Sequence, residues 1–135
     1  MKKHNLIGAA AALLVTGCTP PPMSEMRATL EDWIARFSRG EAHLLLADGL
    51  KQYEAGDYAE SAASLHAALT QGLALTERVD AHKHLAFIYC AAGLQPACEA
   101  EFRKALVADP MMDLAAAEAG HPSWGPVFQH VKAER

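Results

Sequence analysis

Two stretches of this chain, AHLLLADGLKQYEAGDYAESAASLHAAL and AHKHLAFIYCAAGLQPACEAEFRKALVADP, superimpose when the second is shifted by 37 residues. Gly49 falls on Ala86, Gly56 on Gly93, Ser61 on Cys98, Leu65 on Phe102, Ala68 on Ala105 and Leu69 on Leu106. A repeat of this length is one supersecondary unit, which buries its apolar face only by stacking on a neighbour. The residue types say what the unit is. The composition is rich in alanine, apolar residues recur at helical spacing, and no run of β-branched residues argues for a strand. Gly56 and Gly93 end one helix in each copy, where a left-handed backbone suits glycine. Small residues on either side of that turn, Gly49 with Ser61 and Ala86 with Cys98, let two antiparallel helices approach closely. Leu65 and Phe102 then fill the space between them.

These positions resemble the tetratricopeptide repeat, a helical hairpin of about 34 residues. Asp109-Pro110 closes the second copy, which is the stronger match; the first rests mainly on GLKQYEAGDY. Asp48 stands where a leucine is usual, and three extra residues around Gly72 separate the copies. The expected fold is therefore all-α: about two tetratricopeptide-like hairpins, about six helices in all, and no sheet. Two hairpins need flanking helices to cover their open ends. Residues 24–38 supply one candidate, because Met26, Leu30, Trp33, Ile34 and Phe37 form an apolar stripe and Ser24 is placed to cap its start. Trp33 and Phe37 are expected to seal a core. The tail supplies the other: Gly120 and Pro122 interrupt the chain, Pro126 suits a first helical turn, and Val127, Phe128 and Val131 give that helix an apolar face. Trp124 reads either as a plug for the hairpin end or as an aromatic handle for a partner.

The first 23 residues are of another kind. Lys2 and Lys3 precede a short apolar run from Leu6 to Val15, the arrangement of an export signal and too short to span a bilayer, which takes about 20 apolar residues. Val15-Thr16-Gly17-Cys18 resembles the bacterial lipobox. That resemblance implies cleavage before Cys18, a diacylglyceryl group on its thiol and acylation of the new amino terminus, which together anchor a protein firmly. The expected organisation is residues 1–17 as lipoprotein signal, 18–23 as lipidated cysteine and proline-rich tether, and 24–135 as the helical domain. Pro20, Pro21 and Pro22 favour an extended spacer. Thr19, where an aspartate favours inner-membrane retention in enterobacteria, points to the outer membrane. Loss of Lys2 and Lys3 with the signal turns an acidic excess of four charges into one of six. Nucleic acid and anionic lipid headgroups are poor partners for such a surface.

With Cys18 assigned to lipid, Cys90 and Cys98 are left as a pair in an oxidising compartment. They flank the turn around Leu94 at nearly equal distances, so antiparallel helices bring them to neighbouring levels. The expectation is a Cys90–Cys98 disulfide; the other reading is two small buried thiols. No CxxC spacing favours redox catalysis. His82 and His84 lie two apart on a helix and point away from each other, and neither matches a cysteine pair at zinc spacing. His43 and His66 are isolated. No nucleophile-base motif, phosphate loop or carboxylate pair is present, so the expectation is no enzyme, no cofactor, no metal and no small-molecule substrate.

Taken with the lipobox and the repeats, FIYC, the later Cys98 and AEAGHPSWGPVF resemble the TssQ family, small tetratricopeptide lipoproteins associated with type VI secretion. The resemblance implies a non-catalytic accessory role at an envelope-spanning secretion apparatus, with envelope proteins of that machine as partners. An assembly factor or chaperone for a pilus or outer-membrane complex, and a cell-wall enzyme, are the rival classes. In tetratricopeptide domains the first helices of successive hairpins line a concave face that receives a peptide or helix. Helical spacing nominates Leu46, Leu50 and Tyr53 from the first hairpin and Lys83, His84 and Phe87 from the second, with Trp124 beside them. The other reading is that an end helix fills the groove and these residues are core.

Overall fold

The computed structural model describes residues 22–135. The export signal and Cys18 lie outside the described residues. Among the described residues six helices follow one another: α1 (Met23–Ala55), α2 (Tyr58–Gln71), α3 (Leu75–Ala91), α4 (Gln95–Ala108), α5 (Ala116–Ala119) and α6 (Gly125–Ala133). Among the described residues there is no strand. α1 packs along α2 and α3 along α4 as two hairpins, which meet through α2 and α3, while α6 lies on α4. The fold is all-α and built of stacked helical hairpins.

The 37-residue repeat is visible in individual hydrogen bonds. At the first turn Gly56 N–H donates to Tyr53 O (3.0 Å) and Asp57 N–H to Gln52 O (2.9 Å); at the second Gly93 N–H donates to Cys90 O (3.0 Å) and Leu94 N–H to Tyr89 O (2.8 Å). Both pairs form the double closure of a Schellman motif, which needs a left-handed residue after the helix. Gly56 and Gly93 supply it, with φ of 84° and 74°. The close approach within the first hairpin occurs at Gly49: a Cβ there would lie 2.9 Å from the Leu65 side chain. Ser61 Oγ donates to the Gly49 carbonyl at 2.7 Å in the same buried spot.

In the second hairpin the residue equivalent to Ser61 is Cys98, and it is covalently joined to Cys90, with the two Cα atoms 5.2 Å apart. The bridge ties the end of α3 to the start of α4. Closing so short a loop removes about 2–3 kcal/mol of denatured-state freedom on the chain-entropy model. Urea unfolding of Cys90→Ala/Cys98→Ala should therefore show that much lower stability than the parent, with the helical content of the folded protein unchanged; equal midpoints would mean that the bridge does not stabilise the fold.

The core has two parts. One centres on Leu65 between the hairpins, with Ala42, Leu46, Ala68, Leu85 and Ile88. The other centres on Phe102 and joins α3 and α4 to the tail through Leu114, Phe128 and Val131. Phe102 meets Phe87 and Phe128 edge to face, at ring-centroid distances of 6.0 and 5.1 Å. The tail is thus a cap on the second hairpin.

The opposite end departs from expectation. Residues 24–38 are not a separate capping helix, because α1 runs unbroken from Met23 through Gly40 to Ala55. One glycine costs a helix about 1 kcal/mol, and SRGE contains nothing that turns the chain. Nor does Ser24 cap it: the helix starts from Pro22, whose backbone is extended (φ −58°, ψ 147°). Trp33 and Phe37 do not seal a core. They stack on each other, centroids 5.7 Å apart, on the surface of a helical arm that stands clear of the bundle. The cause is phase: Phe37 and Leu46 are nine residues apart, about 180° around a helix, so the side of α1 that packs on the hairpins is opposite the stripe.

Candidate functional site

The first helices of the two hairpins, α1 and α3, carry the residues nominated for the concave face, and the structure divides them. Leu46 is 5% and Phe87 2% exposed, so both are core and neither is offered to a partner. Leu50 is half-buried against the first core cluster. Tyr53, also half-buried, packs against both clusters and is the hub of a ring network. Its ring centroid lies 5.6 Å from Tyr58, 5.0 Å from His84 and 6.4 Å from Phe87.

The tail closes one side of this face. Trp124 stacks on Phe87 at 4.5 Å and on the His121 ring at 3.4 Å. Its indole N–H donates to Glu118 O (2.9 Å), and the Glu118 carboxylate accepts from Lys83 Nζ (2.9 Å) and Ala115 N–H (2.9 Å). Lys83 is therefore engaged within the chain and is not a free cation on the face. Trp124 acts as the plug, half-buried over Phe87. What stays open is a strip made by exposed Tyr58 and half-buried Leu50, Tyr53 and His84.

The strip is close to neutral. Burial, with help from nearby Lys83, lowers the His84 pKa, although a hydrogen bond to the Asp80 carbonyl opposes this. His84 Nδ1 donates to Asp80 O at 2.8 Å, which leaves Nε2 of the neutral ring as an acceptor. Burial, then Tyr58 and Glu118, raises the Tyr53 pKa, so the phenol keeps its proton. Burial works against the Glu118 carboxylate, but the Lys83 hydrogen bond and the Ala115 N–H outweigh it and its pKa is lowered. An apolar or aromatic side chain, with an N–H or O–H aimed at His84 Nε2 or a phenol, matches such a surface.

Three further histidines have structural partners. His43 pairs with Glu77 (2.7 Å), His66 with the Tyr89 hydroxyl (2.7 Å), and His82 with Glu101 (2.6 Å). Glu101, 4% exposed, also accepts from Lys104 Nζ at 2.6 Å. Burial alone would raise the Glu101 pKa, and these two hydrogen bonds reverse the direction. Sequence reasoning missed Glu101, Glu118, His121 and Tyr58. Only Glu101 left a trace, as an acid in line with the inward residues Cys98, Phe102 and Ala105. Among the described residues no three His, Cys, Asp or Glu side chains cluster as a metal site, and no helix is long and apolar enough to cross a membrane. No protein-family model, curated protein or solved structure matches this chain.

Proposed function

We propose that this chain is a lipid-anchored, non-catalytic protein-interaction scaffold of the bacterial cell envelope, facing the periplasm from the outer membrane and serving as an accessory component of a type VI secretion apparatus. The observation that carries the interaction role is the open neutral strip of Leu50, Tyr53, Tyr58 and His84 where the two hairpins meet. It offers ring faces and hydrogen-bonding atoms with no nucleophile or charged group poised for chemistry. The anchor and the secretion assignment rest on Val15-Thr16-Gly17-Cys18 and on the resemblance of FIYC and AEAGHPSWGPVF to the TssQ family. The partner is an envelope protein of that machine, which presents an extended peptide or a helix to the strip.

Fractionation and affinity capture test the two halves separately. Cys18→Ser should move the chain from membranes to the soluble fraction or leave an uncleaved precursor; unchanged maturation and fractionation would dismiss the lipid anchor. The anchored full-length chain should recover secretion-system envelope proteins, and Tyr58→Ala with His84→Glu should cut that recovery about tenfold, the equivalent of about 1.4 kcal/mol. Recovery of pilus or outer-membrane assembly proteins instead would favour the assembly-factor class. Hydrolysis of peptidoglycan by the purified chain would overturn the non-catalytic reading.

A further inference from the structure

The arm of α1 has an apolar side that its own fold cannot cover. Met23, Met26, Leu30, Trp33, Phe37 and Leu44 follow one another at alternating steps of three and four residues, with Gly40 completing the series. That is the a/d pattern of a heptad carried through three repeats, the pattern that joins helices side by side. Together with Ile34, next to the seam, these large side chains are between 49% and 74% exposed. The seam lies opposite the side on which Ala42, Leu46 and Gly49 pack into the bundle, so an occupant meets no obstruction from the hairpins.

We propose that the occupant is a second copy of this chain, and that two arms form a parallel, in-register coiled coil. Charge selects this arrangement. In a parallel pair the residue at g faces the e residue of the following heptad on the other helix. Here Arg36 faces Glu41 of the second copy, twice by symmetry, and Thr29 faces Ile34, so no like charges meet. In the antiparallel register that sets Phe37 on Trp33, Arg36 would meet Arg36 of the other copy. Arg36 now pairs with Asp32 one turn back at 2.9 Å, an exposed contact that leaves it free to turn. A bilayer is a poorer occupant: residues 23–41 carry four acids against three arginines, whereas surface-lying membrane helices are rich in lysine and arginine. The parallel orientation also sends both amino termini the same way, as two chains held on one membrane require, although the dimer does not depend on the anchor.

Cysteine cross-linking of the full-length chain tests this in a way independent of Cys18, with the parent chain setting the background. Leu30→Cys and Phe37→Cys should each give a disulfide-linked dimer under mild oxidation, several-fold above Ala28→Cys on the outward side of the arm. Adding Arg36→Glu to Phe37→Cys should lower the yield several-fold, and adding Glu41→Arg as well should restore it. Yields at 30 and 37 no higher than at 28, or a yield indifferent to Arg36→Glu, would overturn the parallel dimer. Adducts to a different polypeptide would overturn self-association in favour of a foreign helix.

Discussion

Replacing Phe102 by alanine should cost about 3–5 kcal/mol, the usual loss for truncating a buried aromatic ring. Phe102 is completely buried, and it touches the three elements that make the second half of the molecule: α3 through Phe87, its own helix α4, and α6 through Phe128. Truncation leaves two edge-to-face partners without the ring between them, and neither hairpin can close the gap without shifting the tail. For a small domain holding about 5–15 kcal/mol in total, the loss should be plain as a lower urea midpoint. Leu65→Ala is the matched control, because Leu65 occupies the equivalent place under the shift of 37 and is likewise fully buried. It should cost about 2–5 kcal/mol, yet leave the contacts between α4 and α6 intact. A Phe102→Ala loss below about 1 kcal/mol would mean that the second core collapses around the gap at little cost.

The equivalence of Leu65 and Phe102 could be read from sequence because the repeat is written in backbone requirements. A Schellman closure needs glycine, and a close helix crossing needs a small residue; both demands leave the same mark in each copy. The paired closures at Gln52/Asp57 and Tyr89/Leu94 are the structural form of that mark. Apolar periodicity is less complete, for it shows that a helix has a greasy side without saying what the side faces. Read as a cap, Met26 to Phe37 matched the need of a two-hairpin stack for cover. The nine-residue step from Phe37 to Leu46 already contained the contrary answer, because it places them on opposite sides of one helix if that helix is continuous. What concealed continuity was Gly40, which resembles a linker residue yet breaks nothing. At the concave face the unreadable part was distance along the chain. Lys83 meets Glu118 across 35 residues and His82 meets Glu101 across 19, and no local pattern announces such pairs. Helical spacing alone selects the six residues on the first helices, and it carries no information on which of them the tail covers; Trp124 stands beside them in the sequence reading, but its stacking on Phe87 appears only in the fold.

Removing that cover is the second large perturbation. Trp124→Ala deletes the stacking on Phe87 and His121 and the indole hydrogen bond to Glu118 O. Because the ring is only half-buried, the loss should fall at or below the lower end of the range for a buried aromatic ring, about 2–3 kcal/mol. Gly125→Ala should reach the same state from the backbone side, since a Cβ at Gly125 would collide with the Ala119 carbonyl oxygen, and such overpacking costs about 1–3 kcal/mol. Amide exchange should show residues 115–124 opening in both variants while α1 and α2 keep their protection. The fastening is also acid-sensitive. In the fold the Glu118 pKa lies below its ordinary 4.5, so as pH falls the unfolded chain takes up this proton first. The stability from the Lys83–Glu118 pair is therefore fully present above about 4.5 and is lost as pH drops through the folded value. Glu118→Gln should lower the neutral-pH midpoint and flatten the acid limb of the stability curve; an acid limb as steep as the parent's would assign it to other carboxylates. Binding separates the two roles of Trp124. If it only covers Phe87, its removal widens the strip and the captured partner is retained or strengthened, whereas a fall in recovery out of proportion to that of Gly125→Ala would make the indole itself part of the contact.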